Sequence, residues 1–273
     1  MRQRELAAHL QRAEGVSVGS YIAASPEIAR ASGAATRRIG GVICLGAAKI
    51  DSEFLNRALG FGTIAAPDPR LLDRIERHYA SIGRRARLAI AMQCVSSATL
   101  RLLERRGYVA EVRHPDHYEL IYVYDRTRPP AIPHVDDLAI ERVTPQLAPL
   151  YSRVGYESFR ERGPEFRTII EVLVRTRRRR VRAYLGRIAG APAATGMLTD
   201  IGIVGALGNG SVLPRFRGRG IQVAMIAHRI NEGWKRGYRI FFGETGNPAS
   251  AHNMEELGWR KLYDEVDWER PTA

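Results

Sequence analysis

The 273-residue chain predicts an α/β (α+β) fold built as two related domains. Helical and strand periodicities alternate along it, and one helix–strand–helix unit occurs twice in a single ungapped register. A proline-rich stretch poor in apolar residues separates the two occurrences.

The repeat is read by laying "NPASAHNMEELGWR" (247–260) over "SSATLRLLERRGYV" (96–109), an offset of 151 residues. Each copy reads as one helix. Asn247 and Ser96 are N-cap types, and Pro248 suits the first helical position. Apolar residues follow at 251, 254 and 257 in one copy and at 100 and 103 in the other, and Gly258 and Gly107 stand at C′ before an aromatic residue. The same offset puts the strand "RIFFG" (239–243) over "LAIAM" (88–92), and Ile226 and Ile230 over Ile75 and Tyr79. With "RTRPPAIPHVDD" (126–137) between the copies, the expected division is a domain over 1–128, a linker over 129–136 and a domain over 137–273.

The two copies differ at "VLPRFRGRGIQ" (212–222). Val223, Ile226, Ala227, Ile230 and Trp234 recur at helical spacing after it, so Gly218 and Gly220 sit at a helix N-terminus. Backbone N–H groups there lack intrahelical partners, the helix dipole is positive, and glycines let an anion approach. The first copy has "APDPRL" (66–71) instead, where Pro67 and Pro69 carry no N–H and Asp68 repels anions. The chemistry is therefore expected in the second half.

Composition sets the remaining bounds. With 45% hydrophobic residues the chain is long enough for two ordinary cores. Its longest apolar runs, such as "GGVICLGAA" (40–48), are far shorter than a bilayer span, and "MRQRELAAHLQRAEG" lacks the apolar core of a signal peptide. A cytoplasmic protein without membrane contact is expected. Cys44 and Cys94 read as buried reduced thiols. The net charge of +13 is nearly all arginine, since Lys49, Lys235 and Lys261 are the only lysines. The densest run, "RTRRRRVR" (175–182), reads as a solvated helix end and loop rather than a nucleic-acid grip, because no aromatic residues interleave with it. His114 and His117 in "RHPDH" read as a loop before the strand "YELIYVY", and no metal is expected.

From "DLAIERV" through "LAPLYSRVGYESF", "PEFRTIIEVLV", "VRAYLGRI", "AATGMLTDIG", "VGALGNGSVLP", "RFRGRGIQ" and "NPASAHNMEELGW", residues 137–269 resemble a GCN5-related N-acetyltransferase (GNAT) domain. Through the repeat, the first half resembles a degenerate copy, as in tandem members of that superfamily. The resemblance implies two domains, each a mixed, mostly antiparallel sheet flanked by helices. It also implies acetyl-CoA as cosubstrate, with its pyrophosphate on a loop in which Arg217 and Gly220 match the family motif. Gly218, Arg219 and Ile221 complete that loop, and Gln222 stands where a small residue is usual. The family's pantetheine-binding strand corresponds to Ser211, Val212 and Leu213, with Asn209 and Gly210 where the strand edge opens. On the later helix, Asn247, Ser250, Asn253 and Met254 are implied at the cofactor side, and Met254 occupies the place of the tyrosine that often protonates the departing thiolate.

An alkylammonium must lose a proton before it attacks a thioester, so a carboxylate near the cleft is required. Glu244 is the first candidate and Glu157 the second, with Ser250 as a partial substitute for the missing acid. Direct transfer to a small-molecule or peptide primary amine is the expected reaction, with nucleic acid not the expected partner. The alternative is a catalytically silent module that binds acyl-CoA or nucleic acid.

Overall fold

The computed structural model describes residues 3–50, 52, 54–111, 118–159, 164–176 and 180–271. In chain order these form α1 (Gln3–Ile22), α2 (Pro26–Ser32), β1 (Arg37–Ile39), β2 (Val42–Cys44), β3 (Ala58–Leu59), α3 (Pro69–Ser81), β4 (Leu88–Ala91), α4 (Ser97–Arg105), β5 (Val109–Ala110) and β6 (Tyr118–Tyr124). They continue with β7 (Leu138–Arg142), α5 (Ala148–Ser158), α6 (Pro164–Thr176), β8 (Val181–Ile188), β9 (Ala191–Ile201), β10 (Val204–Val212), α7 (Ile221–Lys235), β11 (Ile240–Thr245), α8 (Pro248–Glu256) and β12 (Arg260–Glu269).

Two compact units alternate along the chain. Met1–Ile121, Thr245–Asn247 and Lys261–Ala273 belong to the first, and Tyr122–Glu244 and Pro248–Arg260 to the second. The segment 129–136, expected as a linker, falls within the second unit. His114 and His117 lie outside the described residues.

In the first unit β1, β2 and β3 pair antiparallel, β3 pairs parallel with β4, and β12 lies antiparallel to both β4 and β5. A parallel pair needs a crossover, and α3 supplies it. The Asp68 side chain caps α3 by accepting from the Arg70 N–H at 3.0 Å, and Pro69 follows at the first position. Leu72, Ile75 and Tyr79 then share one buried face, packed with Val42, Leu88, Ile90, Leu103, Val266 and Trp268. Beside this core is a buried charge cluster. Arg57, 2% exposed, lies 2.5 Å from Glu14, 3.4 Å from Glu119 and 3.6 Å from Glu265. Arg87 reaches Asp267 at 3.8 Å and Glu269 at 2.8 Å. Cys44 and Cys94 are buried and free, with their thiols pushed up to about 12 and about 11 by burial.

In the second unit β7, β8, β9 and β10 pair antiparallel, and β10 pairs parallel with β11 across α7. The repeat is visible in the structure: α4 and α8 occupy the same nine positions at the offset of 151. Both helices end on a left-handed glycine, Gly107 at φ 77° and Gly258 at φ 85°. In each the following aromatic residue closes the turn, Tyr108 N–H to Leu103 O at 3.0 Å and Trp259 N–H to Met254 O at 3.2 Å.

The buried face of α7 differs from the sequence pattern. It consists of Ile221, Ala224, Met225, Ile226, Ala227, Arg229, Ile230 and Gly233, whereas Val223 and Trp234 are half-buried. Trp234 instead takes the Arg239 guanidinium over its ring at 4.3 Å. The arginine run also divides: Arg175 lies in the last turn of α6 and Arg180 is exposed, but Arg182 lies buried in β8 and pairs with Asp200. The fully buried Phe241 ring fixes α7 against the sheet, because a Cβ on Gly233 of α7 or on Gly205 of β10 would intrude on it. Gly233→Val is accordingly expected to destabilise the second unit by about 1–3 kcal/mol, read as a lower urea midpoint at unchanged m.

Candidate functional site

The site forms where β10 and β11 part. Their parallel pairing runs from Val204 opposite Ile240 to Ala206 opposite Phe242, after which β10 continues to Val212. Just beyond this point β10 bulges. Its register against β9 slips between Gly208, opposite Met197, and Ser211, opposite Thr195, with Asn209 at φ 52°. The Thr195 hydroxyl donates to Asn209 O at 3.0 Å and shares a 2.7 Å hydrogen bond with the buried Ser211 hydroxyl. Ser211 and Leu213 are both buried, and the Leu213 N–H donates to Ala193 O at 2.9 Å.

After a single 3-10 turn at Pro214–Phe216, the chain reaches α7 through Gly218 at φ 77° and Gly220 at φ 72°. Arg217, Gly218, Arg219 and Gly220 are all exposed. Arg217 folds back, donating from Nε to Val212 O at 3.1 Å and from Nη2 to Ser158 O at 3.4 Å. No side chain caps α7. Its first N–H groups are therefore available to an anion, whereas the aligned α3 is capped by Asp68.

Gln222 does not turn outward, as a residue on the first helical turn can. It donates to Ser250 Oγ at 3.0 Å and accepts from Asn253 Nδ2 at 2.9 Å, so three of the predicted residues join into one bridge between α7 and α8. Ile221 is buried in the helix base. Met254 is also buried, its Cε against Gly243 on β11, where a Cβ would lie 2.9 Å away. Glu244 follows on the same strand, half-buried. Glu157 is exposed on α5, and Asn247 is exposed ahead of α8, its N–H held by Thr245 Oγ1 at 3.0 Å.

A depression beside the bulge is lined by Ser152, Gly155, Tyr156, Phe159, Phe166 and Asn209. The Asn209 Nδ2 is buried there and bonds to nothing among the described residues. Behind the bulge lies a group that sequence reading passed over: Arg229, 3% exposed, which donates to Met225 O, Met197 O and Gly208 O. Its spacing of one turn from Met225, on the same face as Ile226, was the available signal.

No family model matches the chain, and no curated protein matches it. Solved structures do. A GCN5-related N-acetyltransferase from Kribbella flavida has a TM-score of 0.67 and 16% identity, covering 93% of this chain and 96% of its own. A GCN5-related N-acetyltransferase from Sphaerobacter thermophilus has a TM-score of 0.60 and 16% identity over 80% and 73% of the two chains. A tandem GNAT protein from the clavulanic acid biosynthesis pathway gives 0.58 and 13% over 80% and 76%. The chain has the GNAT fold in its tandem form, and at these identities the likeness concerns the fold. No helix among the described residues is long and apolar enough to cross a membrane.

Proposed function

We propose that the protein is a cytoplasmic N-acetyltransferase that moves an acetyl group from acetyl-CoA directly to a primary amine, with one CoA site per chain, in the half spanning 137–273. The half spanning 1–128 is then the degenerate copy. The observation that best supports this is the contrast between two aligned helix N-termini. α7 begins uncapped behind two left-handed glycines, while α3 begins on its own capping carboxylate.

In this reading the loop 217–222 holds the pyrophosphate and the β10 backbone from Ser211 to Leu213 holds the pantetheine arm. Ser250, Asn253, Met254 and Asn247 stand on the other side. Acetyl-CoA supplies an activated acyl group on a thiol of pKa about 8.5, which leaves tolerably without strong acid assistance. Glu244 is the first candidate to take the ammonium proton and Glu157 the second. The acceptor is a small-molecule or peptide amine. A second reading, an acyl-CoA-binding module without turnover, is favoured by one observation: Met254, where the family acid often stands, is packed on Gly243 and has no proton to give.

Calorimetry with CoA and thiol-release assays against amine panels test the two readings. One CoA per chain is expected to bind, and Arg219→Asp, which copies Asp68 onto the aligned position, should weaken it at least about tenfold with the fold retained. Two equivalent sites, or undiminished binding by Arg219→Asp, would overturn the CoA assignment. Binding without thiol release from any amine would leave the silent module.

A further inference from the structure

We infer that Arg229 is a positioning residue for acyl transfer: its guanidinium, buried beneath the β10 bulge with no carboxylate beside it, shapes and polarises the backbone that the acyl group meets. This rests on the acyl-CoA reading above.

The geometry is specific. Nε donates to Met225 O at 3.0 Å, and Nη1 donates to Met197 O and Gly208 O, both at 3.2 Å. The guanidinium lies so close to the strands that a Cβ on Gly196 would stand 2.8 Å from Nε, and one on Gly210 would stand 3.2 Å from Nη2. Glycine at both positions is what admits the cation. Among the described residues no carboxylate pairs with it. Burial lowers its pKa to about 10, opposed only by Tyr151 and Tyr184, so it remains charged at neutral pH.

A buried cation without a counter-ion is unfavourable, and a neutral side chain could fill the same volume. What only the cation supplies is orientation and field. A trans peptide aims its N–H opposite its C=O. Drawing the Gly208 carbonyl toward Arg229 therefore turns the Asn209 N–H away from α7. The charge on Gly208 O also strengthens the Asn209 N–H as a donor, because linked hydrogen-bonding groups polarise one another. That N–H lies beyond Ala206, where β11 has left the strand. Donors aimed in advance at a carbonyl oxygen that gains negative charge are the principal aid a protein gives to acyl transfer.

The test uses acetyl-CoA labelled with carbon-13 at the thioester carbonyl, with difference infrared spectra of the bound ligand and calorimetry on the same samples. The wild-type protein is expected to shift the carbonyl stretch to lower frequency than in water. Arg229→Gln should lose most of that shift while CoA affinity stays within about threefold, and Arg229→Lys should keep part of it. Should Arg229→Gln fail to fold, Gly196→Ala, which displaces the guanidinium, is expected to reduce the shift. Unchanged frequency in a variant that still binds acetyl-CoA overturns the assignment and leaves Arg229 structural. Absence of acetyl-CoA binding by the wild-type protein removes the acyl-CoA reading itself and this inference with it.

Discussion

Replacing Arg57 by methionine is expected to cost the first unit about 3–5 kcal/mol, a large part of the stability of a domain this size. The loss would come less from missing contacts than from what remains. Glu14 and Glu265 are almost fully buried and would lose the Arg57 guanidinium, as would Glu119. Pairing the change with Glu14→Gln should recover part of the loss, because it removes one stranded charge. The same cluster gives the unit a pH dependence. Burial pushes the Asp267 carboxyl up to about 7, against the attraction of Arg57 and Arg87 and with the help of Glu265 and Glu119. The folded state thus binds a proton that the unfolded chain releases near pH 4. Stability should fall as pH rises from about 4 to about 7, by at most about 1.4 kcal/mol per unit, and level off above. Urea titrations at half-unit steps would show this slope, and Asp267→Asn should flatten it.

A chain ending at Arg260 is expected to keep the second unit and lose the first. Although β12 follows the second repeat in sequence, Glu265 to Trp268 pair with β4, and Val266 and Trp268 enter the core around Leu72 and Ile90. Removing residues 261–273 strips β4 and β5 of their shared partner and takes Glu265 and Asp267 from Arg57 and Arg87. Limited proteolysis should then cut within 3–121 at once and leave a resistant fragment covering 122–260. Protection of the N-terminal segment equal to that of the full chain would show that β12 is dispensable.

These dependencies explain which features were legible in the sequence. The ends of α4 and α8 could be read because they are set by neighbours a few residues away: Ser96 bonding the Thr99 N–H, Pro248 at a first position, Gly107 and Gly258 at the ends. The contrast between Asp68 and Gly220 is equally local. The partner of β12 is not, since its alternating residues would suit any sheet with an open edge. The bridge made by Gln222 was not legible for a related reason: helical position fixes the Cα, but Ser250 and Asn253, twenty-eight and thirty-one residues on, decide where the side chain goes. Arg229 was hidden because charge in a helical pattern ordinarily marks the solvent side. Its burial is intelligible only once Gly196 and Gly210 are seen to clear space for it.

The alternation of the units along the chain also reverses the usual order of events at the ribosome. An N-terminal domain ordinarily completes itself while the rest is being made. Here the first unit has its helices and short strands by Ile121 but lacks β12 until residues 261–269 emerge. At roughly 5–20 residues per second that interval lasts on the order of ten to thirty seconds. Throughout it the edge of β4 stands open, and Leu88 and Ile90 lack the cover of Val266 and Trp268. During synthesis the first unit is thus most exposed to chaperones and to mispairing before residues 261–269 emerge, and synthesis of β12 is the event that closes it.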